Sequence, residues 1–143
     1  MTMTLSELAQ AMRKIDFAML QTHSEGGTIA GRPMSNNAEV DYDGDSWYFS
    51  YEDTRTCDDI KADPNVALSF QANTSLLGKP GLMIAVEGVA DLIRDKAIFT
   101  EHWTTDIERW FPQGLDTPGL VLIRVEATRI HYWAGEDEGE ITL

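Results

Sequence analysis

Arg32 and Arg55 are the residues of this sequence whose chemistry most needs explaining. Arg32 lies in "GRPMS", residues 31–35, beside Pro33, in a chain with 24 Asp and Glu against 11 Lys and Arg and a formal net charge of -13. Counting by twos, Arg32 shares parity with Met34, Ala38, Val40 and Tyr42, so an unbroken strand aims it at the core side, where a charge needs a partner. A bulge near Pro33 would instead rotate it outward. In either case the proline is expected to interrupt the ladder and leave backbone groups of Met34 and Ser35 for something other than a neighbouring strand.

Arg55 lies in "SYEDTRT", where an aromatic strand ends at Ser50 and Tyr51 and a short helix opens with Thr54, Arg55 and Thr56. A helix start offers free N–H groups and partial positive charge, and hydroxyls with a guanidinium there suit a phosphate monoester. Opposite unit charges about 4 Å apart gain on the order of 4 kcal/mol at an effective dielectric of about 20, before desolvation is subtracted. Two readings stand side by side. The arginines hold an anion, or they pair with some of the many acids while the threonines simply cap a helix.

Composition narrows the partners. The acidic excess, with a pI near 4.4, repels a phosphate backbone at long range, so nucleic acid is not expected. A small anion remains possible, because such repulsion is screened beyond roughly 8 Å at physiological salt. No apolar run of membrane-spanning length occurs and no basic-then-apolar leader stands near Met1, so a soluble cytoplasmic protein without membrane association is expected. Cys57 is the single cysteine, which excludes an intrachain disulfide and a clustered thiolate site. A helix start would lower its pKa and suit a redox sensor, whereas burial would make it packing. His102 and Asp106 form the one i, i+4 pair that could begin a metal site, and no metal is predicted. Hydrolase-elbow, phosphate-loop and dinucleotide-turn motifs are absent.

The elements that position these residues read clearly. Thr4 and Glu7 have capping-box spacing ahead of a short amphipathic helix. Phe17 to Thr22 and Thr28 to about Met34 form a hairpin around Gly26 and Gly27. A third strand through "NAEVDYD" turns at Asp43-Gly44-Asp45 into "SWYFSY". A two-turn helix follows, with Asp53, Thr54 and Thr56 as possible N-caps. Further strands are expected at Val66 to Gln71, Leu82 to about Leu92 with a bend at Gly88, and Leu120 to Trp133. Phe99, Trp103, Ile107 and Phe111 at four-residue steps predict one helix over residues 95–111. The acidic tail, about 135–143, is expected to be a solvated end of a single domain spanning 1–143. Strands in hairpin order with short helices predict an antiparallel closed or nearly closed barrel, a Greek-key sandwich being the alternative.

The succession "GRPMS", "GDSWYFSYEDTRTCDDIKADPNVALSF", "VEGVADLIRDK" and "WFPQGLDTPGLVLIRVEATRIHYW" resembles the flavin-binding split-barrel proteins related to pyridoxamine phosphate oxidase, especially their general stress protein subgroup. The likeness runs from about Leu8 to Trp133. It implies a mainly β with α (α+β) fold, a six-stranded antiparallel split barrel with short flanking helices. It also implies a homodimer that binds FMN in clefts between subunits. By the resemblance Arg32 holds the FMN phosphate, and main chain from Pro33 through Met34 to Ser35 passes along the isoalloxazine. Ser50 and Tyr51 lie beside the ribityl chain or ring, and Thr54, Arg55 and Thr56 match the family's Ser-Arg-Lys phosphate turn. Gln71 corresponds to a polar residue near the ring, and Trp133, from the partner subunit, to an aromatic at the cofactor's edge.

The chain departs from that pattern twice. Thr56 replaces the lysine of the phosphate turn, and the Arg-x-His substrate motif after the late tryptophan is replaced by "AGEDEGEITL". Pyridoxamine phosphate oxidation is therefore not expected. The resulting expectation is an FMN-dependent oxidoreductase whose substrate and electron acceptor the motifs do not specify. The alternatives are a flavin binder without turnover, a deazaflavin or other flat phosphorylated ligand in place of FMN, and an empty barrel serving as an interaction module with Arg32 in a structural ion pair.

Overall fold

The computed structural model describes residues 3–36, 42–72 and 81–143. Three helices and seven strands occur among them, and none of these helices is long and apolar enough to cross a membrane. The strand expected through residues 37–43 falls mostly outside the described residues.

Helix α1, Leu5–Met12, begins with the capping box: Thr4 Oγ1 accepts from the Glu7 amide at 3.2 Å and Glu7 Oε1 from the Thr4 amide at 3.3 Å. Its buried Leu8, Ala9 and Met12 face the core. Strands β1 (Phe17–His23) and β2 (Ile29–Ser35) form the expected hairpin, and Gly26 and Gly27 take φ of 70° and 78° at its tip. Strand β3 (Asp45–Tyr51) leads into α2 (Arg55–Ala62), then β4 (Asn65–Gln71), β5 (Met83–Ile93), α3 (Lys96–His102), β6 (Leu120–Ala134) and β7 (Asp137–Thr142). The sheet order β2-β1-β4-β5-β6-β3 is antiparallel throughout. It curls into a split barrel, mainly β with α, whose two terminal strands are β2 and β3.

The inner face follows from period-two alternation. Ala18, Leu20 and Thr22 of β1 and Ile84, Val86 and Ala90 of β5 are buried, while Phe17, Met19, Met83 and Glu87 look outward. Gly88 marks a bulge where the register shifts from Glu87↔Arg129 to Gly88↔Ala127. A Cβ there would come within 2.6 Å of the Glu126 carbonyl oxygen. The first four residues of β6 are buried on both faces, because Phe99, Phe111, Leu120 and Leu122 form a second small core outside the sheet.

Two expectations are corrected. The helix over 95–111 stops at His102, and a 3-10 turn covers Thr105–Arg109. The β-branched pair Thr104-Thr105 is a poor continuation, and the break lets Phe99, Trp103 and Phe111 all face Phe49, at centroid distances of 5.6, 5.1 and 6.5 Å. The acidic tail is solvated, with none of its residues buried, but it is not a free end: β7 pairs with the second half of β6. Gly139 makes this possible, since any Cβ would meet the Tyr132 hydroxyl at 2.2 Å. That hydroxyl in turn accepts from the Met3 amide at 2.6 Å.

Candidate functional site

Strand β2 pairs with β1 in unbroken register, from Phe17↔Ser35 through Met19↔Pro33 to His23↔Ile29. The bulge and the interrupted ladder considered at Pro33 do not occur. β2 is terminal among the described strands, and an edge strand tolerates a proline because one side of its backbone has no ladder partner. Arg32 and Met34 consequently keep inward parity and are half-buried, while Pro33 and Ser35 face outward.

Across the split, β3 presents Trp47 to Tyr51. Between the two strands lies a cleft of about 480 Å³, walled by residues 32–35 of β2, Asn36 just beyond it, residues 47–51 of β3, Thr56, Trp110 and Phe111. One side is aromatic: Tyr51 and Phe111 stand 5.0 Å apart between ring centroids, and Trp110 is 55% exposed. The opposite side is peptide edge. Of the residues singled out in the sequence, Arg32, Pro33, Met34, Ser35, Ser50, Tyr51 and Thr56 line this one cleft.

Arg32 reaches past β1 toward α2. It donates to Thr22 Oγ1 at 2.7 Å and to the Leu20 carbonyl at 3.3 Å, and pairs with Asp59 Oδ2 at 3.4 Å. Asp59 also accepts from Thr22 Oγ1 at 2.8 Å and from Ser24 Oγ at 3.1 Å. Arg55 is exposed outside the cleft and donates to Ser24 Oγ through Nε at 2.9 Å and a terminal nitrogen at 2.7 Å. Both arginines thus converge on one buried carboxylate. Burial pushes the Asp59 pKa up, but hydrogen bonds from Thr22 and Ser24 and the charges of Arg32 and Arg55 outweigh it and hold the group below the usual carboxylate range.

Thr54 is the N-cap of α2: its hydroxyl accepts from the Cys57 amide at 3.3 Å and donates to the Tyr51 carbonyl at 2.9 Å. Cys57 is fully buried, its thiol 3.4 Å from that same carbonyl, and burial pushes its pKa up. The thiol is therefore packing, and the redox-sensor reading loses its basis. His102 does not turn toward Asp106 chemistry but stacks on Trp47 at 3.7 Å.

Gln71 and Trp133 are elsewhere. With Phe17, Met19, Met83 and Ala85 they line a hollow of about 700 Å³ on the outer face of the sheet. They share a cross-strand row, Gln71↔Met83↔Trp133, and Trp133 stacks on His131 at 4.2 Å. Phe17 borders both hollows. The residues that sequence reasoning missed are Phe17, Trp110, Asp59, Thr22 and Ser24. Thr22 was detectable as a polar side chain at the inward parity of β1, and Asp59 as an acid between Cys57 and Ile60 on the buried side of α2.

Several known proteins are similar to this chain in sequence or in fold. General stress protein 26 of Bacillus subtilis is 25% identical over 126 residues, covering 85% of this chain and 88% of that protein. Protein bli-3 of Neurospora crassa is 24% identical over 137 residues, which are 90% of this chain but 63% of bli-3, so the chain spans less than two thirds of that relative. A crystal structure from Clostridium acetobutylicum, of a protein related to general stress protein 26, superposes with a TM-score of 0.81 at 19% identity, covering 97% of this chain and 94% of that one. The fold is also that of a heme binding protein from Mycobacterium smegmatis (TM-score 0.78, 13% identity, 99% of this chain and 59% of that one) and of an F420 reductase (0.64, 18%, 85% and 93%). The family described as "Pyridoxamine 5'-phosphate oxidase like" matches residues 4–143, nearly the whole chain, and with the curled sheet already in view the chain belongs to that pyridoxamine 5'-phosphate oxidase-like family.

Proposed function

We propose that the protein binds a flavin, FMN, in the β2–β3 cleft and serves as a flavin-dependent oxidoreductase acting as a homodimer. The observation that carries this reading is the cleft's two unlike walls, an edge of β2 backbone opposite the aromatic side chains of β3 and Phe111, with Arg32 among its lining residues. A flat conjugated ring bearing polar edge atoms and a phosphate tail matches that donor set. Arg32, with Thr56 at the start of α2, would hold the phosphate. Ser35, Ser50 and Tyr51 would border the ring and ribityl chain. Bound FMN supplies the electron transfer itself, and the chain's residues bind, orient and shield it.

The second copy is argued from the outer face. Phe17 and Met19 of β1, Met83 of β5 and Trp133 of β6 are each at least 40% exposed around one hollow, a patch of the kind that marks an interface. A second protomer seated there would bring Trp133 and Gln71 of one chain toward the Phe17 mouth of the other's cleft. Simple binding without turnover is the alternative. Among the described residues the cleft lining holds no histidine or cysteine, and its titratable side chains besides Arg32 are Tyr48, Tyr51 and Asp106.

The test is the absorbance spectrum and mass spectrometry of protein purified without supplement, followed by flavin titration. A yellow protein releasing FMN supports the proposal, a Soret band or a deazaflavin mass would replace the ligand, and a colourless protein that ignores FMN would remove it. Steady NADH or NADPH oxidation with an added acceptor separates enzyme from binder, and sedimentation measures the dimer.

A further inference from the structure

We propose that Asp59 is the positioning residue of the anion seat: its buried carboxylate fixes Arg32 and Arg55, from two separate segments, as one cluster beside the cleft. The ligand in this proposal rests on the flavin phosphate reading, whereas the geometry does not.

The direction of every hydrogen bond in the cluster is forced. A guanidinium only donates, and a hydroxyl has one proton to give. Thr22 Oγ1 accepts from Arg32, so its proton goes to Asp59 Oδ2. Ser24 Oγ accepts twice from Arg55, so its proton goes to Asp59 Oδ1. The cluster closes because both carboxylate oxygens act purely as acceptors. An asparagine would place an NH₂ against one of these hydroxyls, which would then face donors on every side. One arginine would lose its anchor.

Charge alone argues the other way. Asp59 removes one of the two positive charges near the cleft, so if it only neutralised them, its loss would tighten anion binding. Positioning predicts weaker binding despite the gained charge. The sign of the effect therefore decides.

The experiment titrates wild type, Asp59→Asn and Ser24→Ala with FMN and with riboflavin, which keeps the ring and lacks the phosphate. Asp59→Asn is expected to lower the FMN-to-riboflavin affinity ratio about tenfold, the loss of roughly one charge-assisted hydrogen bond, with riboflavin affinity unchanged. Ser24→Ala, which detaches Arg55 alone, should move the ratio the same way by less. A folded Asp59→Asn variant with an unchanged or higher ratio overturns the proposal. If that variant does not fold, an unchanged ratio in Ser24→Ala overturns it instead. Arginine guanidinium N–H NMR needs no flavin and so tells the two failures apart. The Arg32 and Arg55 signals should be protected in wild type, at least one of them should be lost to solvent exchange in Asp59→Asn and the Arg55 signal in Ser24→Ala, and persistence of both in Asp59→Asn would sink positioning even if FMN binds. Should wild type bind neither flavin, the functional reading fails and these signals still judge Asp59.

Discussion

Two arginine clusters of this protein use the same chemistry in opposite surroundings. On the inner side, Arg32 and Asp59 have side chains 18% and 5% exposed and are tied to Thr22 and Ser24. On the outer face, Arg129 grips Glu87 across β5 and β6 and stands 3.4 Å from Glu140 of β7, but its side chain is 52% exposed and that of Glu87 54%. The outer pair has the closer approach, yet solvent screens it and each member can return to water at little cost. The inner pair has no such escape. A carboxylate left in or removed from that site changes what several other groups must do. Distance therefore ranks these pairs wrongly, and burial with hydrogen-bond closure ranks them correctly.

The sharpest break of the comparison is Asp59→Ala, which strands Arg32, Thr22 and Ser24 together. It should destabilise the fold by about 3 kcal/mol in chemical denaturation, the scale of breaking a buried pair from one side. Glu87→Ala, measured alongside, should not shift the midpoint in high salt. Equal losses would dissolve the distinction. Next comes Arg32→Ala, expected to cost roughly 2–3 kcal/mol in FMN affinity through a charge-assisted contact, while Arg129→Ala leaves affinity where it was. Fluorescence titration of the two variants reads this directly.

Acid should sharpen the contrast further. Asp59 has a folded pKa below its unfolded value, so its contribution is fully present above about pH 4 and is lost as pH falls through the folded pKa. Glu87 is likewise lowered, first by its hydrogen bond from Arg129, so it acts in the same direction. Salt separates the two. In high salt the acid-induced loss that persists in wild type should shrink in Asp59→Ala and be unaltered by Glu87→Ala, as followed by denaturation midpoints across the acid range. The smallest effect is Arg129→Ala at neutral pH, for which the thermal midpoint in high salt should coincide with wild type.

Much of this fold was legible in the sequence because its signals are local. The Thr4–Glu7 capping box, the Gly26-Gly27 tip, the bend at Gly88 and the alternation of Ala18, Leu20 and Thr22 each report a neighbourhood of a few residues. The inward parity of Arg32 was legible for the same reason. What failed depended on the rest of the molecule. Phe99, Trp103, Ile107 and Phe111 have helical spacing, but three of those rings satisfy Phe49 better from a broken helix. The tail reads as solvated charge, which it is, but its strand was hidden because pairing of Asp137–Thr142 with β6 relies on Gly139 yielding room to Tyr132, a ring several residues away on another strand. Within the site, Arg32, Ser35, Tyr51 and Thr56 could be named from motifs, whereas the carboxylate that Arg32 meets required knowing that α2 lies across the inner end of β1.

Phe17 gives the two hollows a party wall. Whatever displaces that ring from one side alters the surface met on the other, and thermodynamics makes such an influence equal in both directions. An affinity measured in either compartment is for that reason a property of the pair, and residue 17 is the place where a change in one would be felt in its neighbour.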